Sequence, residues 1–312
     1  EATRAVELSK CDLLSGMVGE FPELQGLMGC YYATQDGESA AVAQALNEQY
    51  MPRFAKDKLP ASALGTALSL ADRIDTLVGA FILGQKPSGV KDPFKLRRHA
   101  LALARLLINY QTTFSLSALI QQAAANYQGI NSGEKSQLSE LLPFILERLP
   151  AYYQEQEITP DLINAVLARQ SDSLYDFNQR LRALADFVKQ PEAEVLSAVC
   201  KRVNNLLNSI SEDRVQTDPI DVHLLQETAE RNLYNQLQVV EEKVKTFDEY
   251  GNYPAILTLL PQLRGEIDSF FEQVMILVDD QSLRRNRLIL LKQLQGVLQC
   301  VADISLLYTP RP

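Results

Sequence analysis

The stretch VHLLQETAERNLYNQLQVVEEKVKTF, residues 222–247, decides the fold class of this 312-residue chain. Its apolar residues recur three or four positions apart, which is the spacing of one face of an α-helix. These residues are Val222, Leu225, Ala229, Leu233, Leu237, Val240, Val244 and Phe247. The charged residues fall mostly on the other side, and they are Glu227, Glu230, Arg231, Glu241 and Lys245. The stretch therefore predicts one long amphipathic helix with a solvated charged face.

The same spacing continues outside this stretch, and no segment alternates between apolar and polar residues over the length of a strand. It predicts a last helix whose buried stripe is formed by Leu290, Leu294, Val297, Val301 and Ile304. Asp279, Asp280 and Ser282 precede this stripe and can cap the helix, because such side chains accept hydrogen bonds from the free N–H groups of a first turn. The sequence therefore predicts an all-α fold.

The length of the chain is sufficient for two or three hydrophobic cores. Helix breakers and turn residues lie at Gln85–Pro93, Gly129–Gly133, Pro150, Pro160, Gln170–Ser173, Gln190–Pro191 and Gly251–Pro254. We place domain boundaries near residues 110 and 190. The predicted domains are therefore 1–110, 111–190 and 191–312.

The charge balance limits how the chain can bind nucleic acid. It has 30 Lys and Arg against 39 Asp and Glu, a formal net charge of −9. The last predicted domain, 191–312, contains 12 Lys and Arg against 18 Asp and Glu, a net charge of −6. A polyanion is bound chiefly by cations that displace its counterions, so the charge argues against indiscriminate binding of nucleic acid. Any nucleic-acid contact must come from local basic patches.

Cysteine and histidine usage predicts no metal centre. The four cysteines, Cys11, Cys30, Cys200 and Cys300, are far apart in the sequence, and His99 and His223 are the only histidines. Neither a disulfide framework nor a zinc site is expected, and we interpret the cysteines as small buried hydrophobic residues.

Residues 1–30 predict neither a secretion signal nor a membrane anchor. Charged residues interrupt the segment where a signal would be uninterruptedly apolar, and no apolar run approaches the roughly 20 residues that span a bilayer. We expect a cytoplasmic protein that does not contact a membrane. Because residue 1 is Glu and lies within a helical pattern, we also expect a piece of a longer protein.

Three blocks of sequence carry a family resemblance. The first comprises LSKCDLL (8–14), MVGEFPELQG (17–26), YYA (31–33) and DGE (36–38). The second comprises ADRIDTLVG (71–79), GQ (84–85) and KDPFKLRR (91–98). The third comprises KRVNNLL (201–207), FFEQVM (270–275), LRRNRL (283–288) and VADISLL (301–307). In this order the blocks resemble the C-terminal half of the β subunit of the bacterial two-subunit glycyl-tRNA synthetases; residues 110–190 resemble it less distinctively.

The resemblance implies a division of labour within a class II heterotetramer. In that family the α subunit contains the active site for glycine, ATP and the tRNA 3′ end, and the β subunit binds tRNA. ATP and Mg are therefore expected to be used by the α subunit, with no cofactor and no catalytic residue in this chain. The sequence contains no Gly-rich phosphate loop and no class I or class II synthetase signature. The expected partners are tRNA(Gly), the α subunit and the N-terminal half of the β subunit.

The resemblance also implies an HD-like helical domain, then a helical connecting region and an anticodon-binding bundle like that of arginyl-tRNA synthetase. An HD phosphohydrolase binds metal through a histidine, a His-Asp pair and a distal aspartate. Here Cys11-Asp12 occupies the place of the pair and Asp72 that of the distal aspartate, so two of the four ligands are absent. One reading is an active phosphohydrolase; another is a retained scaffold with Asp12 and Asp72 as hydrogen-bonded helix residues. A third interpretation, which the resemblance favours, is that the domain faces the tRNA acceptor end.

The segment from Lys91 to Arg105 is rich in cations. Asp92-Pro93 predicts a helix start with proline at the first helical position. The cations near this start fit phosphate contact, and they are Lys91, Lys95, Arg97 and Arg98. Alternatively, Arg97 or Arg98 pairs with Asp72 or Asp75 and ties two helices together.

The anticodon-binding region has two candidate contact sites. On a helix around 195–210, Val199, Val203, Leu206 and Ile210 form the buried stripe, and the candidate RNA contacts are Lys201, Arg202, Asn204 and Asn205. Asn side chains can read unstacked bases, or they can bridge neighbouring helices. Arg284 and Arg287 form the second candidate site. Alternatively, these arginines form ion pairs with Asp279 or Asp280. The family resemblance implies that Arg202 or Arg287 contacts tRNA. Tyr234, Tyr250 and Tyr253 can stack on bases or pack between helices.

Three functions are compatible with these features: a tRNA-binding part of a synthetase, an HD-type hydrolase, and a structural helical scaffold that joins subunits.

Overall fold

The computed structural model describes residues 1–127, 129, 137–209 and 219–307. In this part of the chain the named elements are α-helices and short 3-10 helices, and the one extended contact is the isolated bridge between Ser88 and Lys91. The predicted all-α fold is confirmed. No described helix combines the length and the apolar character that crossing a bilayer requires.

Sixteen α-helices are described. The first eight are α1 (Ala2–Glu7), α2 (Gly16–Glu20), α3 (Leu27–Gln35), α4 (Ala40–Glu48), α5 (Ala63–Ile82), α6 (Leu96–Tyr110), α7 (Leu116–Ala125) and α8 (Leu141–Leu146). The others are α9 (Leu149–Gln154), α10 (Pro160–Leu167), α11 (Leu174–Phe187), α12 (Pro191–Ser209), α13 (Thr228–Glu249), α14 (Tyr253–Leu259), α15 (Arg264–Gln273) and α16 (Gln281–Leu298). The 3-10 helices are Cys11–Leu14, Pro22–Leu24, Leu138–Glu140, Val222–Leu224, Leu260–Leu263 and Ile304–Leu306.

The chain divides into two compact units. Unit 1 comprises residues 1–153 and 172–175, and unit 2 comprises residues 154–171 and 176–312. This division does not coincide with the boundaries near residues 110 and 190, so the three-domain organisation stays a prediction about function.

Unit 1 is built around α5, which packs against α4, α6 and α7. Leu77, Val78 and Phe81 of α5 are buried, as are Leu103 and Leu107 of α6. Each fully buried side chain of this size contributes about 1.5–3 kcal/mol. The long apolar face of α5 therefore holds the neighbouring helices, and their N-terminal turns, in place around it.

A buried carboxylate also fixes the start of α5. Glu48, at the end of α4, accepts hydrogen bonds from the Ala61 and Ser62 N–H groups, both at 3.1 Å, and from the Ser62 hydroxyl at 2.5 Å. Burial alone would raise the pKa of Glu48, but these bonds and one from Gln44 hold it below its ordinary value. The ionised carboxylate therefore joins α4 to α5.

The core of unit 2 contains α12, α13, α15 and α16. In α13 the predicted stripe is buried from Ala229 to Val244, but the helix starts at Thr228 rather than at Val222, which lies half-exposed in a separate 3-10 helix. The Glu227 N–H donates to the Glu230 carboxylate at 2.7 Å, and this bond marks the helix start.

In α16 the predicted cap is confirmed: Asp280 accepts from the Ser282 and Leu283 N–H groups at 2.9 and 3.1 Å. The helix ends at Leu298, earlier than predicted. Val301 and Ile304 are buried, but they lie beyond the helix, and Ile304 belongs to the following 3-10 helix.

The predictions that all four cysteines are buried and that the prolines interrupt helices were only partly right. Cys200 is buried and Cys11 is exposed, because Cys11 opens a 3-10 helix at the surface. Pro160 and Pro191 begin helices, whereas Pro150 lies inside α9, in its first turn. The predicted break at Gly129–Gly133 and the stripe residue Ile210 fall mainly outside the described residues.

Candidate nucleic-acid interface

A pocket of about 360 Å³ in unit 1 is lined by an unusual number of cations. We call it the cationic pocket, and its positively charged lining residues are Lys10, Arg53, Arg73, Lys95 and Arg98. Asp72 is the one carboxylate in the lining, and His99, Tyr50 and Gln25 contribute further polar atoms. The lining of this pocket is therefore positively charged, although the chain has a net charge of −9.

The helices α5 and α6 and the cap of α6 supply five of these residues, and the others, including Lys10 and Arg53, come from earlier in the chain. Asp72 and Arg73 lie on α5, while Lys95, Arg98 and His99 lie at the start of α6. The helix α6 starts at Leu96, which corrects the prediction of Pro93 at the first helical position. Residues 92–95 instead form a turn, and the Asp92 carboxylate accepts from the Leu96 and Arg97 N–H groups at 2.8 and 3.0 Å.

Lys10 and Lys95 hold left-handed backbone conformations at the edge of the cationic pocket. Their φ angles are 61° and 55°, values that side-chain-bearing residues adopt at a cost of about 1 kcal/mol. Lys10 ends the segment before the 3-10 helix at Cys11, and Lys95 precedes α6. Such conformations persist where the surrounding structure or a function requires them.

Arg73 is the buried cation of the pocket, with a relative exposure of 4%. Its guanidinium donates to the backbone carbonyls of Pro52 and Tyr50 at 2.9 and 3.1 Å. Its Nε atom has no hydrogen-bond partner among the described residues. Burial lowers the pKa of Arg73 to about 10, which leaves it protonated at neutral pH.

His99 adjoins Arg73, with Nδ1 of the ring 3.4 Å from a guanidinium nitrogen. Burial, together with the charge of Arg73, lowers the pKa of His99 to about 4. The ring is therefore neutral at pH 7, and Nδ1 can accept from Arg73 while Nε2 carries the proton.

The residues at the HD-like positions are already bonded within the protein. Asp12 is buried and accepts from the Gly26 N–H at 2.6 Å and from the Tyr50 hydroxyl at 2.9 Å. Asp72 forms an ion pair with Lys10. Within the described ranges, no three His, Cys, Asp or Glu side chains are grouped so that they could share a metal ion. Cys11, Asp12 and Asp72 do not fit the metal of an HD phosphohydrolase.

The remaining predicted cations of unit 1 differ in their contacts. Lys91 is exposed, and Arg97 donates to the Gly89 carbonyl at 2.5 Å. Asp75 accepts from the Tyr127 hydroxyl at 3.0 Å, so the predicted alternative, an ion pair of Arg97 or Arg98 with Asp72 or Asp75, does not form among the described residues.

Three cations and one histidine of the lining were absent from the sequence-based prediction of the site: Lys10, Arg53, Arg73 and His99. One signal could have indicated two of them, since Lys10 directly precedes Cys11-Asp12 and Arg73 directly follows Asp72. Arg53 lies far from both blocks in sequence, so only the folded chain places it here.

On α12 of unit 2, some of the predicted RNA contacts are hydrogen-bonded within the protein and others are exposed to solvent. Asn204 donates to the Ser305 hydroxyl at 2.7 Å and accepts from Gln295 Nε2 at 2.7 Å. It therefore bridges elements of the bundle, which was the alternative reading. Lys201 donates to the Leu307 carbonyl at 2.9 Å, while Asn205 is exposed and its side chain forms no hydrogen bond in the described part of the chain.

Arg202 lies on the exposed side of α12, above the ring of Phe271 at 4.1 Å from the ring centroid. Its side chain is 51% exposed, and Asp268 lies 4.0 Å away. The aromatic ring orients the guanidinium without covering it. Arg202 and Asn205 are therefore the members of this group that present polar atoms to solvent.

Arg287 is buried, which corrects the prediction that it contacts RNA. Its relative exposure is 4%, and its Nε donates to the fully buried Glu230 carboxylate at 2.5 Å. A second nitrogen donates to the Met275 carbonyl at 2.7 Å. Because Glu230 is buried in this ion pair, the prediction that it lies on the solvated face of α13 was wrong. Arg284 is half-buried at the start of α16.

The tyrosines at 234, 250 and 253 differ in their exposure to solvent. Tyr253 is buried, bonds to Asp176 through its hydroxyl and lies under Arg180, whose guanidinium is 4.3 Å from the ring centroid. Tyr250 is 82% exposed and Tyr234 is half-buried. Tyr253 therefore packs within unit 2, as the alternative reading had it.

Comparison with known proteins gives two family matches. Residues 1–168 match the family described as glycyl-tRNA synthetase beta subunit, and residues 196–306 match the DALR anticodon binding domain. The chain is 44% identical over 304 residues to the glycine--tRNA ligase beta subunit of Chromohalobacter salexigens, covering 97% of this chain and 44% of the relative. It is 45% identical over 306 residues to that of Tolumonas auensis, covering 98% of this chain and 44% of the relative.

The all-α fold and the matched C-terminal domain place the chain in the class of proteins with a helical anticodon-binding domain. Within that class, the chain belongs to the glycyl-tRNA synthetase beta subunit family, whose match covers more than half of it. It spans less than half the length of these relatives.

Proposed function

We propose that the chain is the tRNA-binding part of a glycyl-tRNA synthetase β subunit. It would bind tRNA(Gly) and support the ATP-dependent attachment of glycine, with the chemistry performed at the active site of an α subunit. The single observation that carries this proposal is the match of residues 196–306 to an anticodon-binding domain within a chain of this family.

The proposed anticodon contact lies on the exposed side of α12. Arg202 and Asn205 present a cation and an amide to solvent there, and the ring of Phe271 orients Arg202. An amide both donates to and accepts from the edges of unstacked bases, while a guanidinium binds phosphate or stacks on a base. Because the last predicted domain has a net charge of −6, binding would depend on such local contacts rather than on bulk charge.

Unit 1 is proposed to contact the acceptor arm. Lys95 and Arg98 at the cationic pocket and the exposed Lys91 nearby in sequence supply positive charge at the start of α6. Phosphates are the part of RNA that such cations bind without reading sequence. Unit 1 would add affinity, and the anticodon contact would add specificity.

The proposed assembly includes the α subunit and the remaining part of the β subunit, in the cytoplasm. The functional boundaries near residues 110 and 190 belong to this proposal. Residues 191–312 would bind the anticodon and residues 1–110 the acceptor arm, with a helical connecting region between them.

The test is filter binding of the chain to tRNA(Gly) and to the same tRNA with altered anticodon bases. We expect the altered anticodon to weaken binding to the wild-type chain. Asn205→Ala should reduce this discrimination, since the side chain is exposed and its loss leaves no buried group without a partner. Each base-directed hydrogen bond that is lost should cost about 1–3 kcal/mol.

Lys243→Ala on α13 is the control, because it removes an exposed charge of unit 2 away from α12. Equal binding of both tRNAs by the wild-type chain would contradict anticodon recognition. No measurable tRNA binding at low salt would favour a purely structural scaffold.

A further inference from the structure

We propose that the cationic pocket of unit 1 binds a terminal phosphate group, the monoester found at the 5′ end of an RNA or of a free mononucleotide. The RNA form of this inference rests on the proposed function. The phosphate site itself does not, because it depends only on the residues that line the pocket.

The first support is the charge of the lining. Five cations face one carboxylate, Asp72, and Lys10 already forms an ion pair with it. The side chains of Lys95 and Arg98 are exposed, and neither forms a hydrogen bond or an ion pair within the described residues. The pocket therefore contains more positive charge than its own carboxylate neutralises, and an anion from outside would compensate the excess.

The second support is the burial of Arg73, which forms no ion pair with a carboxylate in the described part of the chain. The guanidinium is 4% exposed, donates to two backbone carbonyls, and has an Nε atom with no partner in the described residues. Buried charges are normally paired, because taking an isolated charge out of water is costly. A phosphate in the pocket would lie next to this charge and stabilise it.

The third support is a neutral donor beside Arg73. With Nδ1 of His99 directed at the guanidinium, the ring carries its proton on Nε2. His99 lines the pocket, so this N–H adds a donor without adding charge. Phosphate oxygens accept from both charged and neutral donors.

The geometry favours a monoester over a backbone diester. A monoester carries up to two negative charges near neutral pH, whereas a diester carries one. Cations that follow an RNA backbone are spread over a surface, but here they converge on a single pocket of about 360 Å³. That volume accommodates a phosphate and part of its sugar, while Tyr50 and Pro52 supply apolar wall.

The left-handed backbone at Lys95 allows a test variant that removes the cation without straining the backbone. Lys95 has a φ angle of 55°, so glycine suits its backbone better than lysine does. Lys95→Gly removes one pocket cation and should not unfold the chain. Gln111→Gly, at a φ angle of 56° outside the pocket, is the matched backbone control.

The experiment is calorimetric titration of the chain with adenosine 5′-monophosphate and with adenosine, together with binding of tRNA(Gly) carrying a 5′-phosphate or a 5′-hydroxyl. We expect the monophosphate to bind at least about tenfold more tightly than the nucleoside. Lys95→Gly and Arg98→Ala should each weaken that binding about tenfold. Gln111→Gly and Lys86→Ala should leave it unchanged, since Lys86 lies outside the pocket and pairs with Glu140.

The two arms distinguish the sources of the phosphate. Tighter binding of 5′-phosphorylated tRNA that disappears in Lys95→Gly supports an RNA end, and an effect confined to the mononucleotide supports the free ligand. If neither arm depends on the monoester, or if Lys95→Gly and Arg98→Ala behave like the controls, the inference is overturned. Tight tRNA binding that does not depend on the 5′-phosphate would support the proposed function but not the phosphate site. Binding of the mononucleotide without binding of tRNA would support the phosphate site but not the proposed function.

Discussion

At the scale of single residues, buried charges determine much of the internal organisation. Glu230 and Arg287 form a buried ion pair in unit 2, and Glu48 forms a hydrogen-bonded cap in unit 1. Arg73 differs from these residues, because its guanidinium donates to backbone carbonyls and not to a carboxylate. We therefore assign structural roles to Glu230, Arg287 and Glu48, and we propose a ligand-binding role for Arg73.

Breaking the buried pair of unit 2 should be costly. Glu230→Met leaves Arg287 buried without its counter-ion, and we expect the free energy of unfolding to fall by about 3–5 kcal/mol. The double variant with Arg287→Met should recover much of this loss, because no buried charge remains. Urea unfolding measures both, and Glu242→Gln on the exposed side of α13 is the control. A double variant as unstable as the sum of the two single variants would show that the pair does not couple.

Glu48 predicts a pH-dependent contribution to stability. Glu48→Gln places an amide donor against the N–H and hydroxyl donors at the start of α5, so we expect a loss of about 1–3 kcal/mol at neutral pH. The folded-state pKa of Glu48 lies below its ordinary value of 4.5, so its contribution is present above that pH and is lost as pH falls through the folded-state pKa.

The measurement for Glu48 is urea unfolding of wild-type and Glu48→Gln chains at about pH 7 and about pH 3.5. The difference in unfolding free energy should shrink at the lower pH, because the unfolded wild-type chain then binds a proton at Glu48 that the folded chain binds less readily. A difference that stays constant or grows on acidification would contradict the assignment of an ionised cap.

At the scale of secondary-structure elements, the helix starts are held by side chains with identifiable partners. Asp280 caps α16, and Asp92 caps α6 from four residues before its first helical residue. The Asp92 cap would also affect the proposed phosphate site, because Lys95 and Arg98 lie at the start of α6. A shift of this helix start would move the cations away from Arg73.

The cap of α16 provides a direct comparison between neighbouring aspartates. Asp280→Ala leaves the Ser282 and Leu283 N–H groups without their acceptor, and we expect a loss of about 1 kcal/mol in unfolding free energy. Asp279→Ala changes the same charge one residue earlier, where no cap bond is formed, and should have a much smaller effect. Thermal or urea unfolding of the two variants decides this, and equal losses would mean that charge rather than capping matters.

At the scale of the whole molecule, an acidic chain is proposed to bind an acidic polymer. With a net charge of −9, the protein as a whole repels RNA, and attraction is confined to places such as the cationic pocket. Local cations on an acidic surface favour binding in one orientation over non-specific binding.

The salt dependence of tRNA binding should reflect this small number of contacts. We expect the logarithm of the binding constant to fall with the logarithm of salt concentration with a slope of about −2 to −4. Lys95→Gly should make the slope less negative by about 1, because one phosphate contact is lost. Titrations at several salt concentrations measure the slope, and a value near −8 would indicate a broad basic surface that the proposal does not contain.

The fold class and the positions of the main helices can be predicted from the order of residues alone. The stripe from Ala229 to Val244 and the cap at Asp280 depend on residues within a few positions of one another, and such local spacing is visible in a sequence. The family followed from long blocks of matching residues. Helix ends such as Thr228 and Leu298 were less well predicted, since single hydrogen bonds decide them.

Only the tertiary structure decided which polar residues are available to a ligand. Glu230 and Arg287 are 57 positions apart, so neither position revealed that the other would bury it. Asn204 and Asn205 are neighbours of the same type, yet one is bonded inside the bundle and the other is exposed. The cationic pocket combines residues from Lys10 to His99, and their convergence depends on how distant segments pack, which helical periodicity does not encode.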